Sequence, residues 1–108
     1  MKAVIIAGPD PHDIRSAFKS QGVTVEHITL RATASELEQA GIKQADLFIL
    51  TDPNDGTAIP VARELNTDIR VVVYADGRVA EFARHQADLL IDPSLIQPGL
   101  LLEELLSQ

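Results

Sequence analysis

The stretch from Ala45 to Asn66, ADLFILTDPNDGTAIPVARELN, contains one complete folding unit. Its apolar run Leu47-Phe48-Ile49-Leu50 breaks into the polar loop Thr51-Asp52-Pro53-Asn54-Asp55-Gly56. A helical pattern on Ile59, Ala62 and Leu65 follows, with Pro60 near the first turn, where a missing N–H costs little. A buried strand, a turn and an amphipathic helix in that order are the repeating unit of an open α/β sheet. Such sheets bind ligands outside the carboxyl ends of their central strands, which is where Asp52, Asp55 and Thr57 would sit.

The unit repeats outward on both sides. Downstream, Ile69 to Tyr74 is dominated by β-branched residues and reads as a strand. Asp76-Gly77 turns it into a helix using Val79, Phe82 and Ala83, and Leu89-Leu90-Ile91 is a short strand closed by Asp92-Pro93. A last helix is expected from near Pro98 to Leu106. Its Leu100, Leu101, Leu102, Leu105 and Leu106 cover more than the single stripe a surface helix needs. The surplus either seats in the sheet–helix seam or forms a homodimer surface, with Leu101, Leu102 and Leu105 as its candidates.

Upstream, Thr33 and Glu36 form a capping box, Leu37 and Ala40 face the core, Gly41 ends the helix and Ile42 packs after it. Val23 to Leu30 is more polar than the other runs and suits an edge strand. Val4 to Ala7 reads as a strand covered on both faces. After Gly8-Pro9, Asp10 is expected as N-cap, Pro11 at the first helical position and Asp13 in the first turn. Ile14, Ala17 and Phe18 form the helical stripe, stopped by Gly22. Five strands alternating with five helices predict a three-layer, doubly wound parallel sheet, (βα)5, with right-handed crossovers and one domain over residues 1–108.

Composition narrows the function classes. The chain has no cysteine, so disulfides, thiolate chemistry and cysteine-ligated zinc are excluded. No apolar run approaches the roughly 20 residues of a membrane span, and the N-terminus lacks a signal-peptide pattern, so a cytoplasmic protein is expected. The net charge of −7 opposes a nucleic-acid or anionic-membrane partner. Sixteen acids against three lysines describe a surface that stays soluble in concentrated salt, as in a salt-adapted archaeon, or an ordinary acidic protein. A melting temperature that ignores molar KCl would speak for the second.

The run Ala34 to Asp46, with Leu37-Glu38-Gln39-Ala40-Gly41-Ile42 followed by Ala45-Asp46 and a hydrophobic strand, resembles the TrkA-N family. These are the Rossmann-like N-terminal domains, also called RCK or KTN domains, of potassium-transport regulators. The likeness continues through Thr51-Asp52, Ala62 to Asn66, the Ile69 to Tyr74 strand and Ala87-Asp88-Leu89-Leu90-Ile91-Asp92-Pro93. It implies a non-catalytic, ligand-sensing regulatory module, homodimeric, with a transporter or output domain as partner.

Two departures shape that expectation. The family's G-x-G-x-x-G loop lets a backbone approach a pyrophosphate, but here it is Gly8-Pro9-Asp10-Pro11-His12-Asp13. The charge of Asp10 opposes a diphosphate, and no acid closes the second strand to hold a ribose, so NAD or another nucleotide is disfavoured as cofactor. The family also has a further helix and strand where this chain has only Arg31-Ala32. Removing that strand from the order 3-2-1-4-5-6 leaves 2-1-3-4-5 after renumbering, a Rossmann-related, flavodoxin-like order.

The switch point then lies between the first and third strands. A ligand crevice is expected there, lined by Gly8, Asp10, His12, Thr51, Asp52, Asn54, Asp55, Gly56 and Thr57. Asp10, Asp13, Asp52 and Asp55 supply oxygens of the kind magnesium or calcium takes, but Asp10, Asp55 and Asp76 each stand before a helix. Capping is their expected role, and no metal site is expected. The same order invites comparison with response-regulator receivers, which need an acidic pair after the first strand, an aspartate after the third and a lysine after the fifth. Asp52 fits the aspartate, but Ala7-Gly8 replaces the pair and Asp92-Pro93 stands at the lysine, so the receiver reading is set aside. His12, His27 and His85 are isolated, and no nucleophile elbow or P-loop is present. The alternatives to a sensing module are a small enzyme using the crevice and a structural subunit docking through its last helix.

Overall fold

A computed structural model describes residues 1–76 and 78–107. Its strands are β1 (Ala3–Ala7), β2 (Thr24–Ile28), β3 (Leu47–Leu50), β4 (Arg70–Tyr74) and β5 (Leu89–Ile91). They form one parallel sheet in the order 2-1-3-4-5. The helices are α1 (Ile14–Ser20), α2 (Ala34–Gln39), α3 (Ala58–Leu65), α4 (Glu81–Arg84) and α5 (Pro98–Leu106). The three-layer flavodoxin-like arrangement expected from the missing strand is therefore the one observed.

Strand alternation sorts the core into two halves. Val4, Ile6, Leu47, Ile49, Val72 and Tyr74 pack with Ile14 and Phe18 of α1 and with α5. Ile5, Ala7, Phe48, Leu50, Val71 and Val73 pack with α2, α3 and α4. Because the register sets Val4 beside Leu47 and Ile5 beside Phe48, each face is apolar across the central strands. This is why those strands read as continuous apolar runs rather than alternating ones.

Two helices differ from expectation. Leu101, Leu102 and Leu105 are at most 6% exposed and belong to the core beside α1, so they are unavailable as a dimer surface. A helix lying along the sheet seam beside a neighbouring helix buries more than one stripe, which accounts for the surplus leucines. Helix α4 is a single turn, Val79 precedes it, and Phe82 is exposed while Ala83 takes the buried position. No helix among the described residues is long and apolar enough to cross a membrane.

Candidate functional site

A crevice of about 410 Å³ opens at the carboxyl end of the sheet, over the switch point between β1 and β3. One wall is the β1–α1 loop from Pro9 to His12, and the opposite wall is Thr51 to Pro53 after β3. Ile14 and Tyr74 line its inner surface, and Ala75-Asp76 and Pro93-Ser94, after β4 and β5, complete the rim.

The β1–α1 wall is fastened to both neighbouring strands. The Gly8 N–H donates to Ile28 O at 2.9 Å, and the Thr51 hydroxyl donates to Pro9 O at 2.6 Å. Gly8 has φ of 113°, and a Cβ there would lie 2.5 Å from Thr51 Oγ1 and 2.9 Å from Asp52 N. Its glycine is thus required by the approach of the β3 turn as well as by backbone conformation. His27 Nε2 lies 2.6 Å from Gly8 O, and Nδ1 lies 3.2 Å from Arg15 Nη1. A carbonyl only accepts and a guanidinium only donates, so both bonds form when the His27 proton is on Nε2.

The predicted aspartates separate into different roles. Asp10 accepts from Ile14 N at 2.8 Å and Arg15 N at 3.0 Å. It therefore caps α1 from outside, since the helix starts at Ile14 and not at Pro11 as expected. Asp13 takes the N-cap position with φ of 52° and no side-chain bond. Asp52 Oδ1 accepts from Asn54 N at 2.9 Å and caps a 3₁₀ turn over Pro53–Asp55 that the sequence reading missed. Its Oδ2 accepts no hydrogen bond among the described residues.

That 3₁₀ turn rotates the rest of the loop away from the crevice. Asp55 is buried and accepts from Ala32 N at 2.8 Å, with Arg31 Nε 3.9 Å away. It braces the β2–α2 connection and does not cap α3. Gly56 is also buried, and a side chain there would meet Val79 and Ala83 at 3.3 Å. Asn54 and Thr57 are exposed and do not line the cavity. Asp76 does not cap α4, whose N-cap is Ala80, and the expected Asp76-Gly77 turn falls partly outside the described residues. Of the nine expected residues, Asp10, His12, Thr51 and Asp52 line the crevice, Gly8 supports it from beneath, and the other four point elsewhere.

Tyr74, Asp76, Pro93 and Ser94 were not foreseen as site residues. Their signal was topological, since each follows or ends a strand at the same end of the sheet. The Tyr74 hydroxyl donates to Ile96 O at 2.7 Å, and burial pushes its phenol up from the ordinary value. Its ring stands edge-on to His12, with centroids 5.9 Å apart. Beside the rim, the backbone N–H and then the hydroxyl of Ser94 hold the Asp92 carboxyl below its usual range.

The donor set does not fit a divalent cation. Ala7 and Gly8 offer no side-chain oxygen after β1, both Asp10 oxygens serve α1, and Asp55 serves Ala32. Among the described residues no group of three or more His, Asp or Glu side chains converges in a manner that would hold a metal.

Comparison with known proteins corrects the resemblance drawn from sequence. An orphan response regulator of H. pylori superposes with a TM-score of 0.76 at 18% identity, over 98% of this chain and 94% of that one. A pilus assembly-related protein of Burkholderia pseudomallei gives 0.69 at 15% identity, over 99% and 88% of the two chains. A response regulator of the same organism, with a phosphorylated aspartic acid, a calcium ion and citrate, gives 0.67 at 15% identity, over 99% and 72%. The neighbours are response regulators and pilus assembly proteins and not potassium-transport regulators, so the TrkA-N assignment and the functions attached to it are withdrawn. The setting aside of the receiver comparison is corrected as well, at the level of the fold. No curated protein matches the sequence. Residues 4–105 match the model of DUF7126, a family of unknown function, and the chain belongs to that family.

Proposed function

We propose that the protein is a receiver-fold signalling module, folded as one domain, that is controlled at its carboxyl-end crevice without metal-assisted phosphorylation of an aspartate. The observation that carries this reading is the setting of Asp52. It stands in the crevice after β3, as a phosphate-accepting aspartate would, but Ala7-Gly8 lies where an acidic pair is needed and Asp92 where a lysine is needed. A phosphoryl group arriving at Asp52 would face Asp76 across the crevice, with no lining cation to offset its charge. An output domain or a second copy of the chain belongs to this reading as the partner that receives the signal.

The test is incubation with acetyl phosphate and magnesium, followed by intact-mass spectrometry. The expected result is an unmodified chain. A phosphoryl adduct that disappears in Asp52→Asn would make the protein a phosphate-accepting receiver. The place of Asp52 in the crevice after β3 favours that second reading.

A further inference from the structure

The β1–α1 turn that walls the crevice is strained at one residue. Asp13, at φ of 52°, is the only non-glycine residue in the left-handed region among the described residues, and its side chain makes no capping bond. Such a backbone persists where its surroundings hold it. Two side chains hold this one. Asp10 accepts from Ile14 N and Arg15 N at the start of α1. His27, on the edge strand β2, reaches both ends of the turn. Its Nε2 meets the Gly8 carbonyl at 2.6 Å, where the chain leaves β1, and its Nδ1 meets Arg15 Nη1 at 3.2 Å, in the first turn of α1.

The two bonds of the ring respond differently to a proton. Neutral His27 donates from Nε2 to the carbonyl and accepts at Nδ1 from the guanidinium. A proton added at Nδ1 removes the lone pair that Arg15 uses and sets two cations against each other, while the bond to Gly8 stays. The contact with Arg15 therefore exists above the titration of the ring and is lost as pH falls through it. Histidine is the side chain that ordinarily takes its second proton between about pH 5 and 8. Around it, β1 carries no titratable side chain. Helix α1 adds Lys19, one turn beyond Arg15 on the same side and also a cation. The loop adds Asp10, committed to two N–H groups, Asp13, and His12, which stands against Tyr74. Glu26 precedes His27 on the strand and so points to the opposite face of the sheet.

We propose that His27 is a pH-operated catch on the crevice wall. Neutral, it ties α1 to the end of β1 through Arg15 and keeps the turn at Asp13 closed. Protonated, it releases Arg15 and lets that turn relax. The turn carries Asp10 and His12 into the crevice, so the shape of the crevice follows the charge of a ring on the neighbouring edge strand. This goes beyond the reading above, because it holds whether or not Asp52 accepts a phosphoryl group.

The experiment is an NMR titration of the full chain from pH 8 to pH 5, following the His27 ring and the backbone amides in the same samples. At pH 8 the ring is expected to carry its proton on Nε2 and to show a nuclear Overhauser contact with the Arg15 Hδ protons. As the ring takes its second proton, that contact should be lost, and the amides of Asp10, Asp13, Ile14 and Arg15 should shift with the midpoint of the ring. Arg15→Met, on an exposed side chain, should leave the ring titrating and uncouple most of the loop shifts from it. His27→Gln can still donate to the Gly8 carbonyl but does not titrate, and it should hold the loop amides fixed over the same range. Three results would overturn the proposal. These are a neutral ring protonated on Nδ1, loop amides that stay fixed while the ring titrates, and loop shifts that persist undiminished in either variant. None of these depends on labelling by acetyl phosphate, so either reading can fail alone.

Discussion

The two ends of the sheet use the same residue type for different work. At the amino end, Asp46 accepts from the N–H groups of Lys2 and Ala3 at 2.8 and 3.0 Å. Asp88 accepts there from Val71 N at 2.7 Å and Arg63 Nη2 at 2.8 Å. A parallel strand begins with N–H groups that the ladder does not pair, and an aspartate just before the neighbouring strand can satisfy them. At the carboxyl end, Asp52 spends one oxygen on its own turn and lines the cavity. The difference separates scaffold from site. Carboxylates at the amino end are part of the sheet's hydrogen bonding, whereas the Asp52 carboxylate takes no part in it.

Four outcomes would break or sharpen that comparison. The largest is expected from Gly8→Ala, which combines left-handed backbone strain with a Cβ placed 2.5 Å from Thr51 Oγ1. It should cost about 3 kcal/mol in urea unfolding, and an unchanged midpoint would mean that the crevice wall does not lean on β3 as described. Next, Asp88→Ala leaves Val71 N–H and the Arg63 guanidinium without their carboxylate. A loss of about 2 kcal/mol is expected, and a negligible change would remove Asp88 from the scaffold.

Acid titration should show a smaller effect at Asp46. The N–H bonds from Lys2, then Ala3, hold its carboxyl below the ordinary value in the folded state. Their contribution is therefore complete above the unfolded carboxyl's pKa of about 3.9 and is lost as pH falls through the lower folded value. Asp46→Asn should flatten the decline of unfolding free energy below about pH 4, and an unaltered profile would count against this account. Smallest of all, Asp52→Asn should alter stability by less than about 0.5 kcal/mol. A larger loss on thermal unfolding would place Asp52 with the scaffold, not the site.

The same contrast explains why the sequence resembled the wrong family. Ala45-Asp46, Ala87-Asp88, Gly41-Ile42 and Asn66 carried much of that likeness and lie at the amino end, whereas Thr51-Asp52 and Asp92-Pro93 belong to the carboxyl end. Gly41 has φ of 87°, and Asn66 Nδ2 donates to Ile42 O at 2.8 Å and Ala45 O at 3.2 Å. These residues solve problems that any doubly wound parallel sheet has at its strand starts. Their recurrence reports the architecture and says nothing about the occupant of the opposite end. Tyr74 and Pro93 stood inside that likeness, and Ser94 just after it, without a local sign of a site, because each does its part only beside residues from other strands.

Sequence alone determined the five strand–helix units and the doubly wound sheet, and the 2-1-3-4-5 order was reached through the family resemblance, by removing its third strand. Hydrophobic period is a property of each element by itself, and the connection after β2 is too short to hold another strand. Sequence also located the crevice, since the switch point follows from the strand order. Only the tertiary structure decided which side chains enter it. The turn after β3 puts Asp52 in the cavity and Asp55, three residues on, under the β2–α2 connection. Likewise the packing of α5 along α1 took Leu101, Leu102 and Leu105 into the core. Those outcomes depend on how a loop's rotation meets neighbouring elements, and that meeting is set by register and packing across the sheet.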